Sequence, residues 1–177
     1  MTITIDHLGD HDWPTLRDLR LAALADAPDA FWATLEDESR YGVDEWTNFL
    51  RAIGWFVASR DGRPVGLVGG LRRREVPDEP EIVGMWVEPQ ERRRGTAVLL
   101  LRAVCEWAFE QGARSVALWV VDTNAPARRL YERNGFRATG ERAALLEGRT
   151  GDEERMRRSL GHPRSGCSKP PWQTHCG

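Results

Sequence analysis

The sequence predicts an α/β fold of the α+β kind, with helices flanking a mixed, mostly antiparallel central sheet. Three observations predict it. Short apolar runs of strand length alternate with longer segments whose apolar residues recur at helical spacing. Asp61-Gly62, a good tight-turn pair, separates two strand-like runs, Trp55–Ala58 and Val65–Gly69. Twice a strand-like run leads straight into a helical segment, over residues 81–111 and 115–134.

In chain order, Thr2-Ile3-Thr4-Ile5 alternates as an opening strand does. Asp12 is positioned to cap a helix with Pro14 in its first turn. Leu16, Leu19, Ala23 and Leu24 form its apolar stripe, and Ala27-Pro28-Asp29-Ala30 breaks it. The acidic and aromatic stretch 31–50 predicts one or two short helices. The hairpin follows, then an exposed and mobile loop over 72–80. Glu81–Val87 is a strand. Val98, Leu101, Val104, Cys105 and Ala108 mark one face of the next helix, which Gly112 ends. Ser115–Val121 is a strand, 125–134 a helix and Phe136–Thr139 a strand. Glu154–Leu160 pairs with a last strand within 141–146. The expected domain spans 1–160; residues 161–177, rich in Pro, Gly and Ser, read as a disordered tail.

At 177 residues, with 41% apolar and 29% charged content, the chain is long enough for a core that needs neither metal nor disulfide. A net charge of -2 argues against a dedicated nucleic-acid partner. No segment approaches the roughly 18 apolar residues of a membrane helix, and the N-terminus shows no secretory pattern, so a cytoplasmic protein is expected. Cys167 and Cys176, with His162 and His175 nearby, lack the close paired spacing of a zinc site, and no metal is expected.

The most informative stretch is Arg92-Arg93-Arg94-Gly95-Thr96-Ala97. It lies between the strand Glu81–Val87 and a helix. A tight glycine turn that opens a helix directs free backbone N–H groups and a positive dipole end at one spot, as phosphate binding requires. Asn124-Ala125-Pro126-Ala127-Arg128-Arg129-Leu130-Tyr131-Glu132-Arg133-Asn134-Gly135-Phe136 follows the next strand. Together, R-x-x-G-x-A after a strand and N-x-x-A-x-x-L-Y-x-x-x-G-F about thirty residues on resemble the GNAT superfamily of acyl-CoA-dependent N-acetyltransferases. The close resemblance covers residues 81–140.

The resemblance implies a GNAT fold with strands splayed at the CoA site. It also implies direct acetyl transfer from acetyl-CoA to a primary amine, small molecule or peptide, in a ternary complex, and often a homodimer. The alternative is a catalytically idle CoA-binding module of the same fold. Implied donor contacts are Met85, Trp86 and Val87 at the strand end, Arg92, Arg93, Arg94, Gly95, Thr96 and Ala97 in the loop, and Asn124, Ala127 and Tyr131. Val87 marks the place where a backbone N–H would polarise the thioester carbonyl. Tyr131 is the implied acid for the departing thiolate, against a core aromatic packed on Phe136 with its hydroxyl bonded locally. Glu81, fourteen residues before Gly95, is the candidate base, against a plain exposed acid. Trp32, Trp46 and Trp55, with Glu36, Asp37 and Glu38, are either an acceptor wall or, for most of them, core and solvated face.

Overall fold

The protein is described here by a computed structural model that covers residues 2–145 and 151–161. The chain runs β1 (Ile3–His7), α1 (Trp13–Asp26), α2 (Leu35–Ser39), α3 (Val43–Ala52), β2 (Gly54–Arg60), β3 (Arg63–Leu71), β4 (Glu81–Val87), α4 (Thr96–Glu110), β5 (Ser115–Val121), α5 (Ala125–Arg133), β6 (Arg137–Ala144) and β7 (Asp152–Ser159). Seven strands form one sheet in the order β1-β2-β3-β4-β5-β7-β6. Every neighbouring pair is antiparallel except β4 and β5. A parallel pair needs a crossover, and α4 is the helix that makes it.

Apolar residues alternate across the sheet and feed a core on each face. On β2, Phe56 and Ala58 join Leu100, Leu101, Val104, Val116, Leu118, Phe136 and Met156 under α4 and α5. Their neighbours Trp55 and Val57 join Leu16, Leu19, Leu24, Trp46, Leu50, Leu67 and Trp86 under α1, α2 and α3. The β2–β3 hairpin turns on Asp61 and Gly62, both at positive φ (49° and 82°), as a two-residue turn with matching twist demands.

Four local expectations are corrected. Asp12 does not cap α1 with its side chain; its carboxylate accepts the N–H of Gly9 at 2.8 Å, while its carbonyl receives Leu16. On α4 the buried stripe runs through Thr96 and through Leu100, Leu101, Val104, Cys105 and Ala108, which pack on the sheet, and Val98 lies on the exposed flank. The two strands expected within 136–146 are one, β6, interrupted by a register shift between Ala138 and Arg142 where Gly140 takes φ 84°. The loop 72–80 is exposed only as far as Asp78. Glu79 is buried and accepts hydrogen bonds from Ser115 Oγ (2.6 Å), Arg155 (2.5 Å) and Arg157, which ties the loop to β5 and β7. Burial alone would raise its pKa, but the Ser115 and Arg157 hydrogen bonds and the two guanidinium charges outweigh that and hold it below the usual carboxylate value. The expected tail beyond Gly161 lies outside the described residues.

Candidate active site

The sheet opens where its parallel pair begins. β4 and β5 share a register pair at Glu81 and Ala117, reinforced by the N–H of Ala117 donating to the carbonyl of Pro80, and no pair beyond it. Past that point the strands diverge around a cleft of about 510 Å³, with Ile82–Met85 on one side and Trp119–Val121 on the other. On its opposite edge β4 carries an extra residue against β3: Leu67 pairs with Trp86 and Gly69 with Val83, leaving Gly84 and Met85 across from Val68 alone. That bulge takes Gly84 to φ 63°, where a Cβ would lie 2.7 Å from the Trp55 ring, so only glycine fits. Past the Glu81–Ala117 pair, the β5-facing N–H groups of β4 have no partner on β5.

The loop 92–97 stands at the end of β4, as the sequence indicates. Arg93 and Gly95 both take positive φ, 60° and 85°, and α4 starts at Thr96. The carbonyl of Gly95 receives Val98 and Leu99. Among the described residues, the N–H groups of Arg93, Arg94, Gly95, Thr96 and Ala97 have no acceptor, and a Cβ on Gly95 would meet nothing within 4 Å. Thr96 is 1% exposed and its Oγ1 has no partner among the described residues. Five successive free amides, an orphaned hydroxyl and the N-terminus of a 15-residue helix fit a bound phosphate group. The three arginines divide. Arg92 turns back, donating Nε to the carbonyl of Val87 at 2.9 Å and pairing with Asp26. Arg94 pairs with Glu91 at 3.4 Å, and the exposed Arg93 extends from the loop.

Across the cleft, α5 presents Asn124, Ala127, Leu130 and Tyr131. Asn124 caps the helix, its Oδ1 accepting the N–H of Ala127 at 3.2 Å. Tyr131 is 7% exposed and packs on Phe136 with ring centroids 5.8 Å apart. Its hydroxyl has no hydrogen-bond partner among the described residues, and burial pushes its pKa up to about 12. Met85 joins this lining. Trp86 and Val87 do not: Trp86 faces the α1 side and donates its indole N–H to Asp26 at 2.9 Å.

The far end of the cleft is aromatic and charged. Glu81 sits there, 3.1 Å from Nε of Arg73. Phe31, Trp32, Trp55 and Trp119 form walls, whereas Trp46 belongs to the core. The acids of α2 are not in the lining: Glu36 pairs with Arg40, Asp37 bonds Thr34, and buried Glu38 grips Arg20 at 2.9 Å. Sequence reasoning missed Glu153, a buried carboxyl on β7 whose Oε2 accepts the Trp32 indole N–H at 3.2 Å. Burial, and then the charge of Glu81, raise its pKa against the pull of that hydrogen bond. Only the β5–β7 ladder, which sets Glu153 opposite Val121, reveals its place.

Comparison with known proteins settles what this architecture is. The Acetyltransferase (GNAT) family model matches residues 14–136. The chain belongs to the GNAT acetyltransferase family. It is 37% identical over 90 residues to an uncharacterised N-acetyltransferase of Methanocaldococcus jannaschii, across 47% of this chain and 38% of that one. It is 32% identical over 149 residues to the mycothiol acetyltransferase of Acidothermus cellulolyticus, across 77% of this chain and 45% of that one. The chain therefore spans less than half the length of these two relatives. Among solved structures, a GNAT acetyltransferase from Streptococcus pneumoniae superposes with a TM-score of 0.75 at 22% identity, over 90% of this chain and all of that one. A putative acetyltransferase from Salmonella typhimurium, determined with acetyl-CoA, gives 0.76 at 17% identity, over 96% and 100%. At such identities the likeness concerns the GNAT fold. Among the described residues no helix of this GNAT protein is long and apolar enough to cross a membrane, and no cluster of metal-ligating side chains occurs.

Proposed function

We infer that the protein transfers an acetyl group from acetyl-CoA directly to a primary amine. The observation that carries this reading is the run of five unpartnered amides over residues 93–97, set at the end of a splayed strand with the Tyr131 hydroxyl lining the same cleft. In this reading those amides, Gly95, Thr96 Oγ1 and the guanidinium groups of Arg93 and Arg94 bind the donor's pyrophosphate. Arg92 shapes the loop from below through Asp26 and Val87. Asn124 and Ala127 flank the thioester arm. The edge N–H groups of β4 at the Gly84–Met85 bulge, rather than at Val87, polarise the acetyl carbonyl.

The chemistry then falls to two side chains. Glu81 accepts one proton from the acceptor ammonium. The nitrogen's lone pair forms the C–N bond as the thioester C–S bond breaks. Tyr131 gives its proton to the departing sulfur and takes one back from the amide nitrogen. Burial that raises the phenol to about 12 raises the proton affinity of a thiolate beside it for the same reason, so the transfer stays feasible. A covalent acetyl-enzyme is not favoured. Cys105, the free thiol of α4, is buried against Arg158, and burial holds its pKa near 11.

Two measurements test this. Acetyl-CoA should raise the melting temperature, because it binds only the folded state, and amines should release free thiol with linear single-step kinetics. An unchanged melting curve at saturating acetyl-CoA would sink the assignment. Cofactor binding with no thiol release from any amine would instead favour the idle module.

A further inference from the structure

Four charged side chains line the cleft, and three of them already have a counter-ion. Glu38 holds Arg20 through bonds of 2.9 to 3.2 Å. Arg73 and Glu81 face each other at 3.1 Å. Glu153 has none. It is 3% exposed, Oε2 receives only a neutral indole N–H, and Oε1 has no partner among the described residues. Its ladder neighbours, Val121 on β5 and Ala143 on β6, carry no polar side-chain group. A carboxylate so placed is costly unless a proton or a cation meets it. Burial shifts it toward the protonated form when the cleft holds no cation.

We propose that Glu153 receives the acceptor's ammonium group, and that the acceptor is a monocationic primary amine with an apolar or aromatic body. This rests on the acetyl-transfer reading. One unmatched carboxylate calls for one positive charge. A second cationic group on the acceptor would find only Glu81, which Arg73 already neutralises, and a carboxylate on the acceptor would meet repulsion from both acids. Phe31, Trp32 and Trp119 supply flat walls for the body, and the rim indole of Trp32, 53% exposed, can also attract the ammonium through its ring face. The ammonium so bound is the reacting nitrogen, and it shares the cleft with Glu81, which takes its proton, and with Tyr131 and the β4 bulge, which serve the thioester.

The test uses the whole chain saturated with CoA, titrated calorimetrically at neutral pH with phenethylammonium, butylammonium, spermidine and phenylalanine. The titrations are repeated on Glu153→Gln and Glu153→Asp. Phenethylammonium and butylammonium should bind the wild type more tightly than the other two. Glu153→Gln should weaken both at least about tenfold, the loss expected for a charge-assisted hydrogen bond. In turnover it should raise KM for the amine more than it lowers kcat, and Glu153→Asp should recover part of the affinity. The melting shift produced by acetyl-CoA should persist in both variants, which shows them folded with an intact donor site. Equal monocation affinity in the wild type and Glu153→Gln overturns the proposal, as does a wild type that binds neither monocation better than spermidine or phenylalanine. Absence of the acetyl-CoA melting shift in the wild type would remove the acetyl-transfer reading and this proposal with it.

Discussion

The two ends of the cleft are built in different ways. The proposed donor end is made by consecutive residues, 92–97, of which the five backbone N–H groups of 93–97 are freed by a left-handed turn and a helix start. The proposed acceptor end is made by side chains from four separate places: Trp32 before α2, Glu81 on β4, Trp119 on β5 and Glu153 on β7. Backbone recognition needs only a conformation, which many side chains tolerate. Side-chain recognition needs particular residues held by long-range strand pairing. The first kind of site reads directly from a sequence, and the second changes its ligand with single substitutions.

Substitutions at each end should separate these behaviours. The largest effect is expected at the reacting centre between them. Tyr131→Phe should lower kcat within the roughly 10²–10⁴-fold range of a general acid and leave the affinity for acetyl-CoA nearly unchanged. Because the phenol stays protonated up to about pH 12, the loss should be flat across the working pH range. A loss that vanishes at alkaline pH would give the proton to another group.

At the acceptor end, Glu81→Gln should reduce activity at neutral pH by about 10²-fold, the lower part of that range. Partial recovery should follow as pH rises, since more of the amine then arrives neutral. Identical pH–rate profiles for the variant and wild type would place the base elsewhere.

At the donor end, Gly95→Val forces a β-branched residue to φ 85°, a strain of about 1–3 kcal/mol. If the loop yields instead, its amides are misdirected, and KM for acetyl-CoA should rise roughly 5- to 150-fold with the amine KM little changed. An unaltered KM would show that the loop does not hold the donor.

Stability provides a smaller test of how the acceptor side is held. Glu79→Gln removes the charge that Arg155 and Arg157 face, and should lower folding stability by roughly 1–3 kcal/mol at neutral pH. The sign with pH is fixed. The folded-state pKa of Glu79 lies below its unfolded value, so its contribution is fully present above the ordinary carboxylate range and is lost as pH falls through the folded pKa. The stability gap between wild type and variant should therefore close in acid, and denaturant titrations at a series of pH values would detect a gap that persists.

The smallest effect is expected for Asp26→Asn, which weakens a partly exposed pair with Arg92. It should cost about 0.2–1 kcal/mol, seen as at most a few-fold rise in KM for acetyl-CoA.

Sequence alone determined the local geometry of the proposed donor half. The spacing of Gly95 to the preceding strand, the Asn124 cap and the placing of Tyr131 on α5 are set within about a dozen residues each. Strand alternation and helix periodicity are local as well, which is why β4 and β5 were readable to their terminal residues. Tertiary structure decided the rest. A bulge depends on the partner strand, so Gly84 looked like any glycine until β3 was aligned beside it. Arg92 and Arg93 are identical letters, yet one turns down to Asp26, 66 residues away, while the other projects outward. Glu153 is the clearest case. In the sequence it is one acid in an Asp152-Glu153-Glu154 run, and a surface position is the ordinary expectation. Pairing with β5 and β6 rotates it inward under Trp32, 121 residues distant, because a strand's two faces are assigned by its neighbours and by nothing in the strand itself.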